Sequence, residues 1–87
     1  MKAQALVARN LRKLRVQQGL SQENLAVDAQ IDRTYVSRLE RGLENPTVAV
    51  LERLAEALGS KIDDFFAASS SGEKPLPPLP GGRKRKN

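Results

Sequence analysis

The chain has 87 residues with a formal net charge of +5, and it contains neither cysteine nor histidine. It can therefore form no disulfide, offers no usual zinc ligand set and lacks a nucleophile–histidine pair. We expect no metal, no other cofactor and no enzymatic activity. No apolar run approaches the roughly 20 residues that span a bilayer, and the start, MKAQALVARNLRK, has no signal-peptide core. We expect one small cytoplasmic domain without membrane contact.

Apolar residues at helical spacing predict a first helix over residues 3 to 18. Val7, Leu11 and Leu14 mark the face of this helix that we expect to be buried. Gly19 follows as a natural C-terminal stop.

The segment from Leu20 to Gly42, LSQENLAVDAQIDRTYVSRLERG, predicts two short helices joined by a tight turn. Ser21 is suited to cap the first of them, and Asp32 is suited to cap the second. The first of the two helices has an apolar stripe formed by Leu25, Ala26 and Ala29.

The second helix of this pair, from Arg33 to Arg41, separates apolar from polar residues. Val36 and Leu39 share one side, while the other side carries Arg33, Thr34, Ser37, Arg38 and Arg41. A narrow apolar stripe with an Arg/Thr/Ser outer face suits a helix that enters the major groove of DNA. The same pattern also describes an ordinary amphipathic helix with solvated charges.

A fourth helix follows a loop from Leu43 to Pro46. Thr47 is suited to cap this helix and Gly59 to end it. Its recurring apolar residues should complete the core, namely Val48, Leu51, Leu54, Ala55 and Leu58.

A short fifth helix is predicted from a cap at Ser60 through Ala67. Ile62 and Phe65 are expected to pack in the core. The candidate contacts of a homodimer are Phe66 and the off-stripe Val50.

The net charge is unevenly distributed along the chain. Five basic residues and one acidic residue give the segment from Ala68 a charge of +4, so residues 1 to 67 carry only +1. Acidic residues gather toward the end of that domain, whereas its first helix is basic. The first and third helices therefore lie on its positive side. The basic residues of the first helix are Arg9, Arg12, Lys13 and Arg15.

We expect residues 68 to 87 to form a disordered tail, because their composition buries too little apolar surface to order a chain. The motif KPLPPLP fits a ligand of aromatic-lined grooves, but a polyproline spacer is the better interpretation. The terminal RKRK is either a non-specific phosphate clamp or a solubilising end.

Taken together, these segments resemble the XRE-type (phage repressor and Cro-like) helix-turn-helix DNA-binding family. The family pattern LRxLRxxxGLSQxxLA is matched from residue 11 to 26, its SRxE-type helix end by residues 37 to 42, and its continuation NPxxxxLxxLAxALG from residue 45 to 59. The resemblance covers about residues 3 to 67 and implies an all-α, five-helix, lambda-repressor-like fold. The turn departs from the family, because Gln30 stands where glycine is usual. Either Gln30 adopts a left-handed conformation or the turn differs locally.

The resemblance also implies roles for individual side chains. Arg15, by composition alone a solvated arginine, would pair with Glu40 and tie the first helix to the end of the third. The candidate base-reading residues are Arg33, Thr34, Ser37 and Arg38, and the candidate phosphate-binding residues are Gln22, Arg41 and Asn45.

The function expected from these features is sequence-specific binding of double-stranded DNA by a transcriptional regulator, as a homodimer on a two-fold operator. The alternative is a protein-interaction module, such as an antitoxin or a co-activator, built on the same helix-turn-helix fold.

Overall fold

The computed structural model describes residues 2–68, so the predicted tail lies outside the described residues apart from Ala68. Throughout this range the ordered elements are helical, which confirms the predicted all-α class. None of these helices is long and apolar enough to cross a membrane. The elements are α1 (Ala3–Gln17), α2 (Gln22–Ala29), α3 (Arg33–Glu40), α4 (Val48–Leu58) and a 3-10 helix (Ile62–Phe66).

Two of the four predicted helix caps form through their side chains. The Ser21 hydroxyl accepts a hydrogen bond from the Asn24 backbone N–H at 3.0 Å, and the Thr47 hydroxyl accepts one from the Val50 N–H at 3.1 Å. Asp32 stands at the N-cap of α3, but its side chain makes no capping hydrogen bond, so that part of the prediction is wrong.

The fifth element is a 3-10 helix, and its start differs from the prediction. Lys61, not Ser60, precedes it, and the Asp64 carboxylate accepts a hydrogen bond from the Lys61 N–H at 2.9 Å. Ser60 belongs to the end of α4, because its N–H donates to the Ala55 carbonyl at 2.8 Å and closes the turn around Gly59.

The core lies between all five helical elements. Its largest fully buried side chains are Leu11, Leu25, Val36, Leu39, Leu54, Leu58 and Phe65. Leu14 and Ile62 are half-buried against this cluster. Val48, predicted as a core residue, is 72% exposed. The first turn of α4 instead packs through Val50, so the apolar stripe does not extend to Val48.

The turn between α2 and α3 closes through a left-handed residue. Gln30 has φ 60° and ψ 45°, and it is the only non-glycine residue with positive φ between residues 2 and 68. The next N–H, that of Ile31, donates to the Ala26 carbonyl at 3.0 Å. The first of the two alternatives stated for Gln30 therefore holds, at a conformational cost of roughly 1–2 kcal/mol for a residue with a Cβ atom.

A buried asparagine joins the two ends of the domain. Asn10 is only 5% exposed, and its amide nitrogen donates to the carbonyls of Phe65 at 2.8 Å and Ala67 at 2.9 Å. This contact was not predicted from the sequence. The available signal was position, because residue 10 falls within the apolar stripe of α1 between Val7 and Leu14.

Candidate nucleic-acid interface

The outer face of α3 is directed away from the core by the two apolar residues beneath it. Val36 is fully buried and Leu39 is 2% exposed, which fixes the rotation of the helix about its axis. The eight-residue helix is roughly 12 Å long, comparable with the width of about 12 Å of the major groove. The four candidate base-reading residues lie on this one helix: Arg33, Thr34 and Arg38 are exposed, and Ser37 is half-buried.

The Arg38 side chain makes hydrogen bonds to the loop that follows α3. Its Nε donates to the Glu44 carboxylate at 2.6 Å, and its Nη2 donates a longer bond of 3.5 Å to the Leu43 carbonyl. The loop that carries Glu44 is anchored to α1, because the Gln4 amide nitrogen donates to the Glu44 carbonyl at 3.2 Å. The contact of Glu44 with Arg38 was not predicted, because it depends on how the loop folds back after Gly42.

Tyr35 lies close to the same carboxylate. Burial raises the pKa of Tyr35 above its ordinary value, and the negative charge of Glu44 raises it further. The phenol therefore keeps its proton at neutral pH. Near Glu44, it is a neutral hydrogen-bond donor that was not predicted from the sequence.

Arg15 and Glu40 meet between α1 and the end of α3. Arg15 Nε donates to Glu40 Oε2 at 2.6 Å and Arg15 Nη2 to Glu40 Oε1 at 3.1 Å. Nη1 donates to the Leu20 carbonyl at 2.8 Å. Hydrogen bonding to Glu40 raises the pKa of Arg15 above its ordinary value, although burial acts in the opposite direction. The two-pronged contact thus favours the charged guanidinium.

Gln22, a candidate phosphate-binding residue, is part of the same network. Its amide nitrogen donates to Glu40 Oε1 at 3.1 Å. An amide nitrogen carries two hydrogens, so one donor remains for a phosphate oxygen. Because Glu40 is the last residue of α3, this contact fixes the start of α2 against the C-terminal end of α3.

The other two candidate phosphate-binding residues follow α3. Arg41 is the first residue after the helix and Asn45 lies in the next loop; both side chains are exposed. Gln22 is bonded to Glu40 and Arg41 follows Glu40 in the chain, so both lie at the same end of α3. Asn45 is not bonded to any of the other candidate residues within the described part of the chain.

The sequence that forms these helices matches a known family. A family model described as helix-turn-helix matches residues 11–65. The chain belongs to the XRE-type helix-turn-helix family of DNA-binding regulators. The resemblance stated from the sequence is confirmed.

Three relatives share between 77% and 96% of their own length with the chain. The uncharacterized HTH-type transcriptional regulator y4dJ of Sinorhizobium fredii is 44% identical over 59 residues, which are 68% of this chain and 77% of that protein. The restriction-modification controller protein C.AhdI of Aeromonas hydrophila has a similar structure, with a TM-score of 0.71 and 38% identity over 72% of this chain and 96% of that one. The controller protein C.Esp1396I, solved as a tetramer with its natural 35 base-pair operator, gives a TM-score of 0.69 and 33% identity over 76% of this chain and 87% of that one.

Proposed function

We propose that this chain regulates transcription in the cytoplasm by binding one specific sequence of double-stranded DNA, with α3 in the major groove. DNA-binding regulation follows from membership in the family. The observation that supports the role of α3 is its exposed Arg/Thr face, held outward by the buried Val36 and Leu39. In this proposal residues 1–67 form the DNA-binding domain, residues 68–87 form an appended tail, and the chain has no catalytic activity.

Base reading would rest on two arginines and two hydroxyl residues. The forked guanidinium groups of Arg33 and Arg38 suit the O6 and N7 acceptors of guanine, and the Thr34 methyl suits contact with a thymine methyl. Ser37 is half-buried and has a short side chain, so its hydroxyl would donate or accept a hydrogen bond only with a base edge close to the helix. Arg38 would turn from Glu44 toward a base edge when DNA binds.

Phosphate binding would be the task of three further residues. Gln22 would use its second amide hydrogen, helped by the N-terminal end of the α2 dipole. Arg41 and Asn45 would hold the backbone next to the C-terminal end of α3. Such contacts position the protein but carry no sequence information.

A homodimer on a two-fold operator would double this surface. Phe66 supports it, because this aromatic side chain is 45% exposed on the 3-10 helix. Val50 gives less support, since it is half-buried against the core of its own domain.

In sedimentation equilibrium, Phe66→Ser should shift a dimer toward monomer, whereas Val27→Ser, on another exposed apolar side chain, should leave the mass unchanged. Equal masses for all three proteins would argue against Phe66 as the contact.

Binding selection from a pool of random duplexes tests the function directly. We expect enrichment of one sequence with two inverted half-sites. Arg53→Ala, an exposed arginine on α4, should select the same sequence as the wild type. A chain that enriches no sequence would instead fit the alternative of a protein-interaction module.

A further inference from the structure

A shallow groove of about 600 Å³ lies between α1 and the C-terminal end of α3. Its apolar lining comes from Ala5, Ala8 and Val16 of α1, and Gly42 lines it after α3. Its walls carry the four side chains that define what we call the basic groove: Arg9, Arg12, Lys13 and Arg41.

The α1 side of the basic groove is a single stripe of cations. Residues 12 and 13 lie three and four positions after residue 9, so their side chains project from the same face of α1 as that of Arg9. They span about 6 Å of helix axis, which is close to two nucleotide steps of about 3.4 Å along one DNA strand. The spacing therefore suits a chain of phosphates better than one compact anion.

These charges have no acidic partner inside the described domain. The two ion pairs found within residues 2–68 join Arg15 to Glu40 and Arg38 to Glu44. Glu40, the one acid that lines the groove, is occupied by Arg15 and Gln22 and has a side chain only 4% exposed. A solvated helix face could also carry such charges, but here three of them line one groove together with a fourth, Arg41, from the end of α3.

The basic groove is also continuous with the candidate DNA surface. Arg41 belongs to both, and the contact between Gln22 and Glu40 lies at the same end of α3. A duplex lying along α3 would therefore bring a phosphate strand to the mouth of the groove, where charge complementarity favours it.

We propose that the basic groove is a second DNA-binding surface, which holds the sugar–phosphate backbone beside the segment that α3 reads. The proposal rests on the proposed DNA-binding function and adds a part of the surface to it. By binding phosphates, Arg9, Arg12 and Lys13 increase affinity and extend the stretch of DNA backbone that the protein covers. They contribute nothing to base preference.

The test uses the full chain with two charge-matched variants. Arg12→Gln/Lys13→Gln removes two charges from the groove, and Arg53→Gln/Lys61→Gln removes two exposed charges elsewhere in the domain. Glutamine is a good helix former, so circular dichroism should show both variants folded. The selected duplex is then titrated between 50 and 200 mM salt, and its backbone is footprinted with hydroxyl radicals.

We expect the groove variant to lose up to about 1.8 from the slope of log K against log salt, because each phosphate contact contributes about 0.9. Its affinity deficit relative to the wild type should widen roughly tenfold from 200 to 50 mM salt. In its footprint, fewer backbone positions beside the selected site should be protected. Its base preferences should be those of the wild type. The Arg53→Gln/Lys61→Gln control should match the wild type in both footprint and slope.

Three results would overturn the proposal. If the groove variant keeps the wild-type slope and footprint on a duplex that the wild type selects, the groove faces another anion, such as an acidic protein, and the proposed function still stands. A changed base preference would make the groove a reader rather than a backbone clamp. If the wild type selects no duplex at all, the proposed function fails and this proposal with it.

Discussion

The Arg38 guanidinium on the outer face of α3 is bound to the carboxylate of Glu44, six residues further along the chain, at 2.6 Å. The two side chains are 45% and 29% exposed, and an ion pair in such a setting contributes only about 0–1 kcal/mol. Glu44 therefore orients Arg38 without preventing its transfer to a stronger acceptor. A guanine edge that accepts two hydrogen bonds is such an acceptor.

Substitutions of Arg38 and Glu44 should have opposite effects on DNA binding. Arg38→Ala should weaken binding to the selected site by about 1–3 kcal/mol and relax the base preference at one position of each half-site. Glu44→Gln should instead strengthen binding to all sequences, because it removes a negative charge beside the phosphates and releases Arg38. Specificity profiles of both variants measure this. If Arg38→Ala keeps the wild-type preference at every position, α3 is not the reader.

Gln22 offers a contrast with Arg38, because it is expected to contact phosphate. Gln22→Ala should weaken binding to every sequence by a similar factor, since a phosphate contact carries no base information. It should also lower the free energy of unfolding by about 0.5–1.5 kcal/mol, because Glu40 loses one hydrogen bond. Competition titrations with specific and random duplexes, together with urea unfolding, separate the two effects. A selective loss on the specific duplex alone would contradict the phosphate assignment.

Arg15 and Glu40 should behave as one unit in stability measurements. Each alanine substitution alone should cost roughly 3–5 kcal/mol, because it leaves the other charge buried without its partner. Arg15→Met/Glu40→Leu should cost less than either single substitution, since it removes both charges and keeps apolar volume. A double-mutant cycle of the two alanine variants by urea unfolding measures the coupling. Strict additivity would mean that the contact seen at 2.6 Å contributes nothing to folding.

The left-handed Gln30 can be relieved by glycine. Gln30→Gly should raise the free energy of unfolding by about 0.5–1 kcal/mol, because glycine adopts positive φ without strain but loses more backbone entropy on folding. Gln18→Gly is the matched control: Gln18 follows α1 with φ −84° and should gain nothing. Thermal unfolding of both variants checks this. A destabilised Gln30→Gly would show that the side chain of Gln30 stabilises the turn more than its conformation costs.

Local signals account for most of what the sequence predicted correctly. The caps at Ser21 and Thr47, and the paired helices between them, depend on residues within three or four positions of each other. Val48 shows the limit of that approach, because helical spacing alone cannot say how far along α4 the neighbouring helices extend.

The features that the sequence did not predict depend on tertiary placement. Glu44 reaches Arg38 only because the loop after Gly42 folds back over the end of α3. The basic groove needs Arg41 to lie across from α1, which no spacing along the chain indicates. The site was therefore predictable as a set of residue types on α3, but its internal ion pair and its flanking surface were not.

Asn10 provides the last prediction, because its amide is the buried link between α1 and the end of the 3-10 helix, 55 residues away. Asn10→Ala should lower the free energy of unfolding by about 1–3 kcal/mol, since the Phe65 carbonyl loses its donor inside the protein. Asn10→Asp keeps the shape of the side chain but turns an ionised oxygen toward two carbonyls. At neutral pH it should therefore lower the free energy of unfolding more than Asn10→Ala does.

The pH dependence of Asn10→Asp distinguishes a lost donor from simple disruption. Burial and the two facing carbonyls should raise the pKa of the new carboxyl above its unfolded value of about 3.9. The folded state then disfavours the charged form, so the penalty relative to the wild type should be fully present well above the raised pKa and should shrink as pH falls through it toward 4. Asn24→Asp, at an exposed position in the first turn of α2, should show the opposite trend: the helix dipole favours its charged form, so a small stabilisation at neutral pH should be lost as pH falls. A pH-independent deficit in Asn10→Asp would mean that packing, and not hydrogen-bond donation, is what Asn10 contributes to the junction.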